Sequence, residues 1–160
     1  QIKNNSKNSN DTITKNITSI NFNAIEIKLF IKSSEIKNRR FGFQLFSKNK
    51  DIGFPIIFEP ESKSILVGST KASLDFQNIY KTKNIEITIF IDHFLIEVFI
   101  NNIQSVVGIY EKFENKYQII AYSFNGSFII EKLLIWKLKK INSGYKKAKK
   151  NKIWRVKEKI

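Results

Sequence analysis

Residues 25–31 alternate strictly, with Ile25, Ile27, Leu29 and Ile31 on one parity and Glu26, Lys28 and Phe30 between them. A period of two is what a strand with one buried face requires. The same pattern returns at Ile85, Ile87, Ile89 and Ile91, interleaved with Glu86, Thr88 and Phe90, until Asp92 and His93 break it. Shorter apolar segments at Phe41–Phe46, Pro55–Phe58, Ser64–Val67 and Ser73–Phe76 are read as further strands. Their connectors hold Asn49, Lys50, Asp51, Gly53 and Pro60, residues that turn the chain or interrupt a strand. Leu95–Ile100 and Ile103–Tyr110 flank Asn101-Asn102, a pair that tolerates positive φ and suits a tight hairpin. Tyr117–Phe124 and Ser127–Leu138 flank Asn125-Gly126, which by turn chemistry is the stronger hairpin signal of the two.

Short strands at regular spacing, β-branched and aromatic residues and no convincing amphipathic helix predict an all-β fold. We expect an antiparallel two-sheet β-sandwich, jelly-roll-like, with a short C-terminal helix confined to Tyr145–Ile160. The expected organisation is a polar, loosely ordered lead-in over residues 1–20, a sandwich over 21–141 and a basic tail over 142–160. A chain of 160 residues holds one such domain.

Composition narrows the chemistry. Without cysteine the chain has no disulfide framework, thiolate metal site or thiol nucleophile, and with His93 as its one histidine it has no imidazole cluster. Methionine is absent and the chain starts at Gln1, so we expect residues ahead of it. No apolar run approaches 18 residues and no signal-peptide pattern is visible, so a soluble chain without a membrane anchor is expected. The net charge of +14 is uneven: Lys137 to Ile160 carry +10, and residues 1–136 only +4. Ile, Lys and Asn, all drawn from A/T-rich codons, make up 71 of the 160 residues, and lysine outnumbers arginine 25 to 3. Bidentate phosphate and guanine recognition favours arginine, so neither nucleic acid nor a membrane is the expected partner.

The segment ITIFIDHFLIEVFINNIQSVVGIY, Ile87 to Tyr110, resembles the signature hairpin of the C-terminal β-sandwich module of glycoside hydrolase family 32, the invertases, levanases and inulinases. Asp92, His93, Glu97, Val98, Phe99 and Asn101 fall on matching positions, and the Asp-His pair looks like the plant branch. Phe41-Gly42-Phe43, Asn125-Gly126 and the closing Ile135-Trp136-Lys137-Leu138 agree in order, so the resemblance covers about residues 20–140. Phe94 departs from the family's usual serine, Gly108-Ile109 from Ser-Arg, and Gly68 from a frequent aspartate, and no proline follows Tyr110.

The resemblance implies a retaining glycosidase whose two carboxyl groups lie in an N-terminal five-bladed propeller. That unit's Arg-Asp-Pro and Glu-Cys motifs do not occur in these residues. The expected role is therefore a non-catalytic module that packs on a catalytic propeller in cis. No catalytic, cofactor-binding or metal residue is assigned, and no cofactor is expected. Asp92, His93, Glu97, Phe99 and Asn101 become structural or interdomain candidates. An acid/base reading of Asp92 and Glu97 is outweighed by a turn-capping Asp92 and a Glu97 that faces solvent or a neighbouring domain. His93, alone in a turn, is read as a solvated or hydrogen-bonded histidine rather than a ligand. A stand-alone carbohydrate-binding sandwich and a protein with a polyanion-binding basic tail are the alternatives. Carbohydrate and a second copy of the chain are the further candidate partners.

Overall fold

The computed structural model describes residues 12–20, 24–49, 52–110, 117–124 and 126–139. Among them the chain forms eleven strands and two single-turn helices. The first half holds β1 (Thr12–Ile20), β2 (Ala24–Lys32), α1 (Ser33–Ile36), β3 (Phe41–Asn49), β4 (Ile52–Glu59), β5 (Ser64–Val67), β6 (Thr70–Ser73) and α2 (Phe76–Ile79). The second half holds β7 (Asn84–Asp92), β8 (Leu95–Ile100), β9 (Gln104–Ile109), β10 (Tyr117–Phe124) and β11 (Ile130–Lys137). The strands make two antiparallel sheets, a six-stranded one in the order β1-β10-β3-β4-β5-β6 and a five-stranded one in the order β11-β2-β7-β8-β9. The expected two-sheet sandwich is the fold.

The alternation read from the sequence is the core. Ile25, Ile27, Leu29 and Ile31 of β2 and Ile85, Ile87, Ile89 and Ile91 of β7 pair residue for residue and are almost wholly buried. They face Phe41, Phe43 and Leu45 of β3 and Phe54, Ile56 and Phe58 of β4 within one cluster. Phe41 and Phe58 stack with ring centroids 4.6 Å apart, and Phe128 meets Phe41 edge-on at 5.4 Å. Burying such side chains contributes about 1.5–3 kcal/mol each, which makes this face the main source of stability.

Three local expectations differ from the structure. Thr12–Ile20, placed with the lead-in, forms β1 and pairs with β10. A register shift between Asn16 and Thr18 resets the alternation, so Ile13, Ile17 and Ile20 share no single period of two and the strand does not show in the pattern. Ser73–Phe76 is not one strand: β6 ends at Ser73, and Asp75 then caps α2 by accepting from the Gln77 and Asn78 N–H groups. A capping aspartate directly ahead of Phe76 competes with extended backbone there. The Asn125-Gly126 hairpin does not form, because β10 lies in one sheet and β11 in the other, beside β2. Gly126 has φ +126° in a crossover between sheets. Turn residues let the chain bend but do not choose its next partner. Asn125 itself, residues 1–11, the tail at 142–160 and the helix expected over Tyr145–Ile160 lie outside the described residues.

Candidate functional site

Strand register places three of the family-motif residues, Asp92, Glu97 and Phe99, on the outer face of the five-stranded sheet. Trp136, Glu26, Phe90, Glu97 and Val107 form one row across β11, β2, β7, β8 and β9. Leu134, Lys28, Thr88, Phe99 and Ser105 form the next. At the turn end, Ala24, Asp92, Leu95 and Ile109 form a third.

Asp92 and Leu95 are partners, so Asp92 and Glu97 are diagonal neighbours on adjacent strands, with Cα atoms roughly 7–8 Å apart. Asp92 is exposed and its Oδ1 lies 2.6 Å from Nδ1 of His93. His93 takes φ 54° to reverse the chain between β7 and β8, a conformation in which Asn, Asp and His are the commonest non-glycine residues. Glu97 is half-buried beside Phe90. Phe99 packs its ring edge-on to Phe90 at 5.7 Å.

Asn101 stands at the opposite end of β8, away from Asp92. Its Oδ1 accepts the Glu86 N–H at 2.8 Å and its own N–H donates to the Glu86 carbonyl at 2.8 Å. Both Asn101 (φ 49°) and Asn102 (φ 54°) are left-handed, as a reversed turn demands, and the expected hairpin is present. Asn101 thus locks the β8–β9 turn to β7 rather than joining the Asp92–Glu97 group.

One ion pair on this face lies between Lys28 and Glu86. Lys28 Nζ lies 2.8 Å from Glu86 Oε1, and that hydrogen bond, with the charges of Glu86 and Glu26, holds the ammonium above its ordinary value against the opposing effect of burial. Lys132 Nζ sits 5.9 Å above the Phe30 ring. Toward β9 the face becomes apolar: Leu95, Val107 and Ile109 are exposed side by side, with Phe94 at the turn, and Ile109 is 69% accessible. β9 is the outer strand of its sheet. Isolated exposed apolar residues are ordinary; here Leu95 of β8 and Ile109 of β9 are cross-strand partners, so the exposed apolar area is contiguous.

The departures Gly68 and Gly108 share a neighbour. A Cβ at Gly108 would lie 2.5 Å from Phe54 Cζ and 2.9 Å from the Val67 carbonyl, and one at Gly68, where φ is +62°, would lie 2.4 Å from the Phe54 ring. The Phe54 ring occupies the space that side chains at 68 and 108 would need. Sequence reasoning recorded the two glycines but had no means of linking them, since positions 54, 68 and 108 meet only when the sheets close.

Sequence reasoning also missed a polar cleft at the end of the six-stranded sheet. It is lined by Lys37, Asn38, Arg39 and Arg40 on one wall and Glu59 to Ser62 on the other, with Phe124 between them and a volume of about 700 Å³. Two adjacent arginines in a lysine-rich chain were the available signal.

The model of the family described as Glycosyl hydrolases family 32 C terminal matches residues 1–137. The chain belongs to this family. Among solved structures, the family 32 module is similar to chicken galectin 2, at 13% identity and TM-score 0.52 over 76% of this chain and 100% of that one. It is also similar to A. japonicus CB05, at 11% identity and TM-score 0.54, over 81% of this chain and 25% of that one. The β-fructofuranosidase of Schwanniomyces occidentalis aligns at 15% identity and TM-score 0.49 over 86% of this chain and 33% of that one. At these identities the first two likenesses establish the two-sheet fold. No curated protein matches the chain. The family 32 C-terminal module accompanies a catalytic domain in its enzymes, and the family's catalytic motifs are not among the 160 residues here.

Proposed function

We propose that this sandwich packs on and stabilises the catalytic propeller of a family 32 enzyme acting on sucrose or fructans, and that Leu95, Val107, Ile109 and Phe94 form the apolar centre of that contact. The observation that carries the reading is the exposed apolar group at the family-motif hairpin, on β8, β9 and the β7–β8 turn of a sheet whose inner face is already filled. Apolar area left in water by the module becomes stabilising once a second domain covers it. The Asp92–His93 pair and Glu97 supply a polar rim around that centre, the usual anatomy of an interface.

The test mixes the chain with a separately produced family 32 propeller and measures co-elution and the melting temperature of the mixture. Co-elution and a raised melting temperature are expected, both lost on Leu95→Asp with Ile109→Asp, while the variant chain alone keeps its circular dichroism. Co-elution unaffected by that pair would place the contact elsewhere and refute the surface. The isolated chain should release no fructose from sucrose, and release above a heat-killed control would refute the non-catalytic role.

A further inference from the structure

The cleft between residues 37–40 and 59–62 lies on the other sheet, away from the proposed interdomain surface, and has its own internal support. Only three arginines stand against 25 lysines in the sequence, and two of the three, Arg39 and Arg40, are consecutive and line this cleft. Arg40 lies over the Phe124 ring at 4.7 Å, and its Nη2 is 3.2 Å from Glu59 Oε1. The second oxygen of Glu59 is taken by Lys71 Nζ at 3.4 Å and by the hydroxyls of Ser62 and Ser64 at 3.2 and 3.3 Å. Arg39 donates from Nη1 to the Ser127 carbonyl. The loop that carries the two arginines is closed by the Arg39 N–H to Ile36 carbonyl bond at 3.1 Å and by Asn38 at φ 58°.

These contacts fix both guanidinium planes yet use only part of their five N–H donors each. The remaining donors have no acceptor among the described residues, and the Arg40 side chain is 47% exposed. Lys37 adds a third cation to the same wall. On the acceptor side, Glu59 is already balanced by Arg40 and Lys71, leaving Glu61 at the rim. The cleft is therefore rich in fixed donors and poor in free acceptors, a distribution that fits an oxyanion. Its volume lies within the range of small-ligand sites. Asn38, exposed on the arginine wall, offers the neutral amide that a hydroxyl would meet.

We infer that this cleft binds a saccharide bearing an anionic group, a carboxylate or a sulfate ester, with the Arg39 and Arg40 guanidiniums on the anion and Asn38 on a ring hydroxyl.

The test is titration of the full chain at low salt with trigalacturonate, a sulfated disaccharide, the neutral trisaccharide 1-kestose and inorganic sulfate, each followed by amide chemical shifts and calorimetry. One or both anionic saccharides should shift the amides of residues 37–40, 59, 61, 62 and 124, and bind at least tenfold more tightly than 1-kestose and than sulfate. The tighter of the two identifies the anion. Binding should weaken with added salt. Lys37→Gln, at the exposed rim, should lower affinity severalfold with the melting temperature unchanged, and Arg40→Lys, which keeps the charge but not the planar fork, should lower it further. Equal binding of 1-kestose, insensitive to salt and to Lys37→Gln, would overturn the anionic assignment. Inorganic sulfate binding as tightly as the saccharides would overturn the saccharide assignment, and no shift at these amides with any probe would overturn the site.

Discussion

Phe54 and Gly108 should be energetically coupled, and the size of the coupling follows from their geometry. Phe54 is 2% exposed and its ring tip would stand 2.5 Å from a Cβ at position 108. Gly108→Ala alone forces that ring, or the Val67 backbone 2.9 Å away, to move, which costs about 1–3 kcal/mol as overpacking. Phe54→Ala alone empties a core position and costs about 3–5 kcal/mol. In the double variant the new methyl enters the vacated space. Filling on the order of 25 Å³ at about 24 cal/mol per Å³ recovers roughly 0.6 kcal/mol, and the relieved overlap adds more. The Val67 carbonyl remains close, so relief is incomplete. The double variant should thus be about 1–2 kcal/mol more stable than the sum of the two single changes predicts. Urea denaturation of the four proteins by circular dichroism, with equal m-values, measures this directly. Additivity within about 0.5 kcal/mol would refute the idea that Phe54 occupies the side-chain space of position 108.

Gly42→Ala should destabilise by about 3 kcal/mol or more, because its Cβ would sit 2.1 Å from the Ile56 carbonyl, and adding Tyr122→Phe should restore little, since that clash is with backbone; urea midpoints check both. Asn101→Ala should cost about 1–2 kcal/mol more than Asn101→Gly, since both lose the bond to the Glu86 N–H but only alanine resists φ 49°; equal losses would mean that the turn backbone is not the constraint. Partial burial raises the Glu59 carboxyl, but hydrogen bonds from Lys71 and Ser62 and the charges of Arg40 and Lys71 outweigh it and hold the group below its ordinary value of 4.5. A depressed folded value stabilises the protein above that ordinary value, and the contribution disappears as the pH falls through the folded one. Glu59→Gln should therefore flatten the acid limb of a melting-temperature profile below about pH 4.5 and leave its shape near neutrality unchanged.

The sandwich was legible in the sequence where alternation was unbroken. The isoleucines of β2 and β7 face inward on every second residue, and no neighbour was needed to predict it. The Asn101-Asn102 turn was legible for a similar reason, since two consecutive left-handed residues can be supplied locally. β1 escaped because its bulge breaks the period, and that bulge has meaning only against β10. The residues of the family motif were legible as a motif, but the separation of Asn101, which braces β7, from the Asp92–Glu97 group at the other end of β8 was not.

Local chemistry thus determined the core-facing residues of β2 and β7, most of the strands, the reversals at His93 and Asn101, and the family. Only the closed structure decided partnership. Asn125-Gly126 has the chemistry of a hairpin, yet β11 is drawn to β2 because its pairing there lengthens a sheet over a common core. Gly68 and Gly108 became one feature only through Phe54, and Arg40, Glu59 and Phe124 became one cleft only because β3, β4 and β10 share a sheet. Periodicity records what each residue needs from its surroundings. Which distant residue supplies it depends on the sheet order, which no local stretch of the chain contains.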